Sequence, residues 1–255
     1  MKVAITGKGG VGKTTIAAAL CHAFSLEGKR VLAVDADPDS NLASALGIGE
    51  AERARIRPIA ELVEVIEERT GARPGSSGGI FKLNPKVDDI PEEFGLRFNN
   101  IVLLVTGKSK EASAGCYCPE NVFLRRLLRH IVIERNEVVV LDMEAGIEHL
   151  TRGTAEAVDA FIIVVEPGSR SIQTANTIKR MAGELGVKRA YVVANKVRTP
   201  EDLEFIKNSI GDLRLIGKVD YDPKVIEADI EGKAPFTEAL MKEIGEIKRA
   251  LETGQ

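Results

Sequence analysis

The stretch "GKGGVGKTT", residues 7–15, concentrates glycines, two lysines and two threonines in one short loop. Gly7, Gly12, Lys13 and Thr14 satisfy the spacing G-x-x-x-x-G-K-[ST], whose chemistry is phosphate binding. Glycine-rich backbone lets the N–H groups around Gly9, Gly10 and Val11 turn inward onto phosphate oxygens. A helix starting behind the loop adds free donors and positive potential. Lys13 is placed to reach the β- and γ-phosphates, the Thr14 hydroxyl to ligate Mg²⁺, and Thr15 to contact the α-phosphate. Lys8 is surplus to the pattern. From the second position of the loop it points away from the end phosphate of its own nucleotide. A ligand-free glycine turn is the plain alternative, and the strand before and helix after the loop argue against it.

Acids follow two apolar runs. "VLAVDADPDSNL" (31–42) carries Asp35, Asp37 and Asp39, and acids at strand C-termini beside a phosphate loop face the ligand crevice. Asp37 precedes Pro38, while Asp35 and Asp39 compete with it for a catalytic role, and Asp39 or Ser40 also suits a helix cap. "VVVLDMEAG" (138–146) ends its run in Asp142, the arrangement in which an acid holds Mg²⁺ directly or through water. The "EAG" that follows is placed as a second switch segment, free to move when the γ-phosphate leaves. Glu144 there is open to three readings: a pull on the attacking water, a contact to a second subunit, or plain exposure. "YVVANKV" (191–197) ends in Asn195-Lys196, where a side-chain amide can bond a purine edge. Arg198 stands where a guanine-reading N-K-x-D motif has its aspartate, which favours ATP over GTP.

Two of the chain's three cysteines, Cys116 and Cys118, lie one residue apart in "ASAGCYCPENVF" (112–123). A thiolate site for an ion such as zinc takes about four ligands at roughly 2.3 Å. On a straight strand, side chains at i and i+2 share a face roughly 7 Å apart, so chelation needs a bend at Tyr117. Gly115 and Pro119 suit a bent loop at a helix start. Two inert buried thiols and a strained C-x-C disulfide are the alternatives. Cys21 and His22 read as packing residues. His130 reads as a solvated end of the basic helix "RRLLRH". His149, just past the second switch segment, is the histidine placed to feel nucleotide state.

Short β-rich runs alternate with longer helical patterns and must position these residues. Strands are expected at 2–6, 31–35, 101–105, 137–143, 160–166, 190–195 and 213–219, with a weaker one at 79–84. Helices are expected at 13–27, 40–46, 50–69, 119–134, 150–158, 171–185, 201–210 and 236–252. This order predicts an α/β fold, a single P-loop NTPase domain over 1–255 with a mostly parallel sheet flanked by helices on both faces. An irregular insertion is expected at about 70–100, where "GARPGSSGG" and "NPKVDDIPEEFG" supply turn residues and acid. The C-terminal pattern puts Phe236, Leu240, Ile244, Ile247 and Leu251 on one face, for packing on the domain. With 255 residues, a net charge of −3 and a pI near 5.8, broad nucleic-acid binding is not expected. The longest apolar runs are too short to span a bilayer, and no signal-peptide core follows the N-terminus, so a cytoplasmic protein with no membrane partner is expected. A reducing cytosol favours a thiolate site over a disulfide.

The loop "GKGGVGKT" resembles the deviant phosphate loop of the MinD/ParA/nitrogenase iron protein class of ATPases. That resemblance implies ATP hydrolysis by a homodimer in which Lys8 reaches the partner subunit's nucleotide. It also implies that Asp37 positions or deprotonates the attacking water and that Asn195, with Lys196, contacts adenine. "VDYDP" (219–223) is similar to the turn that flanks the base. Such a dimer supplies the thiolates the C-x-C pair lacks, two copies of Cys116 and Cys118 meeting on the two-fold axis. With "DADPDSNL", "LNPKVDD", "GCYCPEN" and "DMEAGIEHLTRGTAEAVD", the chain resembles the CooC-type accessory ATPases of nickel carbon monoxide dehydrogenase over nearly its whole length. The resemblance implies ATP/ADP and Mg²⁺ at the loop, Ni²⁺ or Zn²⁺ at the dimer interface, and a nickel-enzyme client, carbon monoxide dehydrogenase. The related accessory ATPase of acetyl-CoA synthase is the alternative. More distant ones are an electron-transfer ATPase like the nitrogenase iron protein, whose cysteines lie far apart in sequence, and a spatial-organising ATPase, whose tail needs a basic amphipathic helix.

Overall fold

A computed structural model describes residues 1–37, 39–75, 81–107, 119–135, 137–144, 154–155 and 157–254. Its strands are β1 (Lys2–Gly7), β2 (Val31–Asp35), β3 (Leu96–Phe98), β4 (Ile101–Val105), β5 (Val138–Asp142), β6 (Ala160–Val165), β7 (Ala190–Val197) and β8 (Arg214–Asp220). They form one sheet in the order β3-β4-β2-β5-β1-β6-β7-β8. Every pairing is parallel except that of β3 with β4. The helices are α1 (Lys13–Leu26), α2 (Leu42–Ala45), α3 (Glu50–Arg53), α4 (Val63–Thr70), α5 (Ile90–Phe94), α6 (Pro119–Glu134), α7 (Ser169–Glu184), α8 (Pro200–Ser209), α9 (Pro223–Ile230) and α10 (Glu238–Thr253).

The central strands are apolar on both faces because both are covered. All residues of β2, β5 and β6 are buried. In β1 the faces alternate with the strand period: Val3 and Ile5 pack with α1 and α10, while Ala4 packs with α4 and α6. A third cluster joins Ile163 and Val165 of β6 to Ile172 and Ile178 of α7 and Ile206 of α8. Phe24, Phe123 and Phe161 are fully buried and anchor the layers, each stabilising by about 1.5–3 kcal/mol. The expected C-terminal face is present: Leu240, Ile244, Ile247 and Leu251 of α10 are buried against the sheet. Three helices start at matched caps. Thr199, Asp222 and Thr237 accept from the N–H of Asp202, Lys224 and Leu240, and Pro200 and Pro223 open α8 and α9.

Several local expectations are corrected. The helix expected over 50–69 divides into α3, a 3₁₀ turn at Ile59–Glu61 and α4. Pro58 disfavours helix at Arg57 and offers no N–H to continue it, so the chain breaks there. Residues 81–84 are not a strand. Within the stretch expected to be irregular, α5 and β3 form, and β3 pairs antiparallel with β4 at the sheet edge. Helix α9 was not expected. Most of the helix expected at 150–158 lies outside the described residues. Among the described residues no helix is long and apolar enough to cross a membrane.

Candidate functional site

The site lies beyond the carboxyl ends of the parallel strands. β1 sits where the sheet order turns, with β5, β2 and β4 on one side and β6, β7 and β8 on the other. Such a switch point leaves a crevice between the loops that depart in opposite directions. The loop after β1 occupies it. Gly12 is the residue before α1, in the left-handed region at φ 93°. A Cβ there would collide with the Asn195 amide, and one at Gly7 with the Val164 carbonyl. No side chain caps α1 and its first turn carries no acid. The N–H groups of Lys13, Thr14 and Thr15 therefore face the crevice without intrahelical acceptors, as an anion site requires.

The end of β7 braces this loop. The Asn195 amide donates to the Val11 carbonyl at 2.6 Å, and the Lys196 ammonium donates to the Gly10 carbonyl at 2.6 Å. Lys196 takes a left-handed φ of 57°, a costly backbone for a non-glycine residue that turns its side chain back under the loop. Asn195, expected at the base, thus also holds the phosphate loop.

Four aspartates enter from the other side, each differently. Asp35 is fully buried, and its carboxylate accepts from the N–H groups of Leu42 at 3.0 Å and Asp37 at 3.3 Å. It shapes the loop rather than facing the cleft. Asp37 faces the cleft, 3.8 Å from the Lys13 ammonium, and its other oxygen accepts from the Asp39 N–H at 2.9 Å. Asp39 is exposed on the cleft wall. Asp142 is fully buried, and neither of its oxygens has a partner at full hydrogen-bond geometry. Burial pushes its carboxyl up to about 7, opposed by the Thr14 hydroxyl and reinforced by Asp35. Burial pushes Asp35 up to about 6, opposed by its backbone donors. An orphaned buried carboxylate beside Thr14 fits a divalent cation, and Thr14 and Asp142 are the residues that would hold Mg²⁺, with Asp37 across the cleft. The Glu144 side chain is exposed on the cleft, and its carbonyl accepts the Thr6 hydroxyl at 2.6 Å.

The cleft, of about 740 Å³, is closed on the far side by Val225, Ile226 and Asp229 of α9 and by Lys233 and Pro235 beyond it. This wall was missed from sequence, although "DYDPKV" carries a helix-start signal in Asp222 and Pro223. Glu166 was also missed. Its carboxylate lies 3.7 Å from the Lys8 ammonium and 3.2 Å from that of Lys196. An acid closing an apolar strand run, as Asp35 and Asp142 do, was the available signal.

Cys21 is buried on α1, where desolvation and the Asp142 charge push its thiol far up, so it packs and does not ligate. His22 stacks on Phe236 with ring centroids 4.3 Å apart, and burial lowers its pKa. His130 corrects the expectation of a solvated helix end: it is buried inside α6. Cys116, Cys118 and His149 lie outside the described residues. Among the described residues no cluster of three or more His, Cys, Asp or Glu could hold a metal.

Residues 2–236 match the model of the CobQ/CobB/MinD/ParA nucleotide-binding domain. The chain is 50% identical over 236 residues to an uncharacterised ATP-binding protein of Methanocaldococcus jannaschii, covering 91% of this chain and 90% of that one. It is 49% identical over 232 residues to the carbon monoxide dehydrogenase accessory protein CooC of Rhodospirillum rubrum, covering 91% and 88%. Among solved structures, the MinD cell division protein of Aquifex aeolicus superposes with a TM-score of 0.68 at 22% identity, covering 100% of this chain and 98% of that one. A ParA family ATPase of Chlorobium tepidum superposes with a TM-score of 0.69 at 19% identity, covering 98% and 97%. The braced phosphate loop, the strand-end acids and these likenesses agree: this chain belongs to the CobQ/CobB/MinD/ParA family of P-loop ATP-binding proteins, in the branch that includes CooC.

Proposed function

We propose that this protein is a dimeric, ATP-hydrolysing maturation factor that assists nickel insertion into the metal cluster of carbon monoxide dehydrogenase. The observation that carries this reading is 49% identity, over nine-tenths of the chain, to a carbon monoxide dehydrogenase accessory protein. The "GCYC" pair and the "EAGIEHLTRGT" stretch support it.

In this reading the nucleotide lies on the first turn of α1, with Lys13 at its β- and γ-phosphates. Asp37 positions the attacking water and accepts its proton. Thr14 and Asp142, with Asp37, hold Mg²⁺, which supplies charge neutralisation for the phosphates. Lys8 reaches the nucleotide of a second subunit and stabilises the charge that develops there, as an arginine finger does. Cys116 and Cys118 of both subunits gather the transported ion on the two-fold axis. Four thiolates suit either Ni²⁺ or Zn²⁺, so the donors alone do not choose between them. Loss of the γ-phosphate relaxes the segment after Asp142 and releases the ion or the client.

The test is anaerobic equilibrium binding of Ni²⁺ and of Zn²⁺ to the full chain without nucleotide, with ADP and with ATP, while sedimentation follows the monomer–dimer equilibrium. One ion per dimer, coupled to nucleotide state, is expected. The Cys116→Ala and Cys118→Ala variants should lose it, and binding as tight as wild type in both would sink the metal assignment. Nickel- and ATP-dependent activation of nickel-free carbon monoxide dehydrogenase by the protein tests the client.

A further inference from the structure

Glu166 follows the last residue of β6, a strand set between β1 and β7. In register, Gly7 of β1 stands opposite Val164, and Ala194 of β7 stands opposite Val165. Glu166 therefore falls between the start of the phosphate loop and the Asn195-Lys196 pair. Its backbone is fixed there, because its N–H donates to the buried Ser171 hydroxyl at 3.1 Å. Its carboxylate touches two cations at once, the Lys8 ammonium at 3.7 Å and the Lys196 ammonium at 3.2 Å. Lys196 is bonded in turn to the Gly10 carbonyl. The lysine surplus to the phosphate-loop pattern is thus held on its own subunit by an acid that shares its charge with the lysine bracing that same loop.

We propose that Glu166 is a positioning residue that parks Lys8 on its own subunit until the nucleotide of a second subunit displaces it. This rests on the reading of Lys8 as acting in trans. To dimerise productively, Lys8 must exchange one shared carboxylate for a partner's phosphates. A triphosphate carries more charge than a diphosphate and competes better for the ammonium, so the exchange favours the ATP-bound dimer over the ADP-bound one. Lys8 and Glu166 are only partly buried, with 38% and 27% of their side chains exposed, which limits the size of the effect. A pair this accessible shifts an equilibrium by about fivefold or less. A dimer breaks two such pairs, so freeing both lysines should tighten dimerisation by about two- to thirtyfold.

The experiment compares wild type, Glu166→Gln, Lys8→Ala, the double variant and Lys196→Ala as full chains. Sedimentation equilibrium gives the dimerisation constant with Mg²⁺ and either ATPγS or ADP, and calorimetry gives the ADP affinity. Glu166→Gln is expected to tighten the ATPγS dimer within that range, with no such effect when Lys8 is already alanine. An unchanged constant in Glu166→Gln, while Lys8→Ala dimerises poorly, overturns the inference and leaves the trans reading standing. So does the same shift in Lys196→Ala, or a weakened dimer together with weakened ADP binding, because the carboxylate would then act only through the loop brace. Wild-type dimerisation and ATPase activity in Lys8→Ala would remove the trans reading itself, and the inference with it.

Discussion

Asp35 and Asp142 stand opposite one another in the parallel register of β2 and β5, both fully buried. Their strands differ little, yet their carboxylates have different surroundings. Asp35 is met by two backbone N–H groups from the loop it organises. Asp142 is met by no backbone N–H, although it lies beside the first turn of the helix that follows the phosphate loop. A buried polar group without a partner is costly, and a protein keeps one where a ligand completes it. The pair thus divides between shaping the loop and waiting for a cation.

The cost should be measurable as a dependence of stability on pH. Asp142 faces Asp35 on β2, Asp37 in the next loop, and Lys13, Thr14 and Cys21 on α1. Its carboxyl is raised from 3.8 to about 7 in the folded chain, and that of Asp35 to about 6. The folded state then holds protons that the unfolded state has released. Stability from this source is full below about pH 4 and is lost as pH rises through about 6 to 7. Without Mg²⁺ or nucleotide, Asp142→Asn should flatten that fall and stabilise the protein at pH 8 by about 1–4 kcal/mol. Urea unfolding at pH 5 and pH 8 measures it. In the same variant Mg²⁺ should no longer strengthen ADP binding, and a variant less stable than wild type at pH 8 would contradict the assignment.

Gly12→Ala separates the loop's geometry from its charge. A left-handed backbone costs an alanine about 1–2 kcal/mol, and its Cβ would press on the Asn195 amide that braces Val11. No charge is lost, so any effect comes from shape. We expect ADP affinity to fall at least about 100-fold, equivalent to about 2.7 kcal/mol, with the circular dichroism of the fold retained. Calorimetric affinity within tenfold of wild type would mean that the loop closes on phosphate by another route.

Much of this was legible in sequence because strand-end chemistry is local. Lys13 opens a helix, Asp142 closes an apolar run and Asp37 lies two residues past the end of another, so period and spacing place them without tertiary knowledge. Pro58 carries a break signal inside the expected helix 50–69 that the helical pattern of "AELVEVIEERT" alone does not show. Contacts made across strands were not legible. Glu166 meets Lys8 only because β6 lies beside β1 and β7, an order that alternation of strands and helices leaves undetermined. Asn195 could be read as a base contact, since nothing in "VVANKV" shows that Val11 lies within its reach. Helix α9 was hidden because it is one short segment of eight residues, and Val225, Ile226 and Ile230 are too few to set a helical period apart from a loop.

The start of α10 offers a stability change remote from the phosphates. Thr237 accepts from the Leu240 N–H and fixes the first turn of the helix that covers β8. Thr237→Ala should cost about 1 kcal/mol in urea unfolding, and Thr237→Ser should restore most of it. ADP affinity should not change. A loss in affinity as large as the loss in stability would instead tie this turn to the neighbouring cleft wall at Pro235.

Nucleotide choice can be tested at Arg198. Its guanidinium lies over the Tyr221 ring at 4.6 Å, next to the Asn195-Lys196 pair. In a guanine-reading motif an aspartate at this position accepts from the N–H groups on the base edge. A guanidinium has only donors, so donors would face donors if guanine occupied the site. Arg198 is exposed, so water relieves part of this opposition and the discrimination expected from it is modest. We expect ATP to outcompete GTP for the protein by at least about tenfold, or about 1.4 kcal/mol. Competition against ADP, followed calorimetrically, gives that ratio. Arg198→Asp should narrow it by weakening ATP, through loss of the Tyr221 stack, and by strengthening GTP. Lys196 is unchanged in this variant, so the brace on Gly10 persists and both affinities should remain measurable. An unaltered ratio would place the base away from Arg198 and Tyr221, and with it the adenine contact assigned to Asn195.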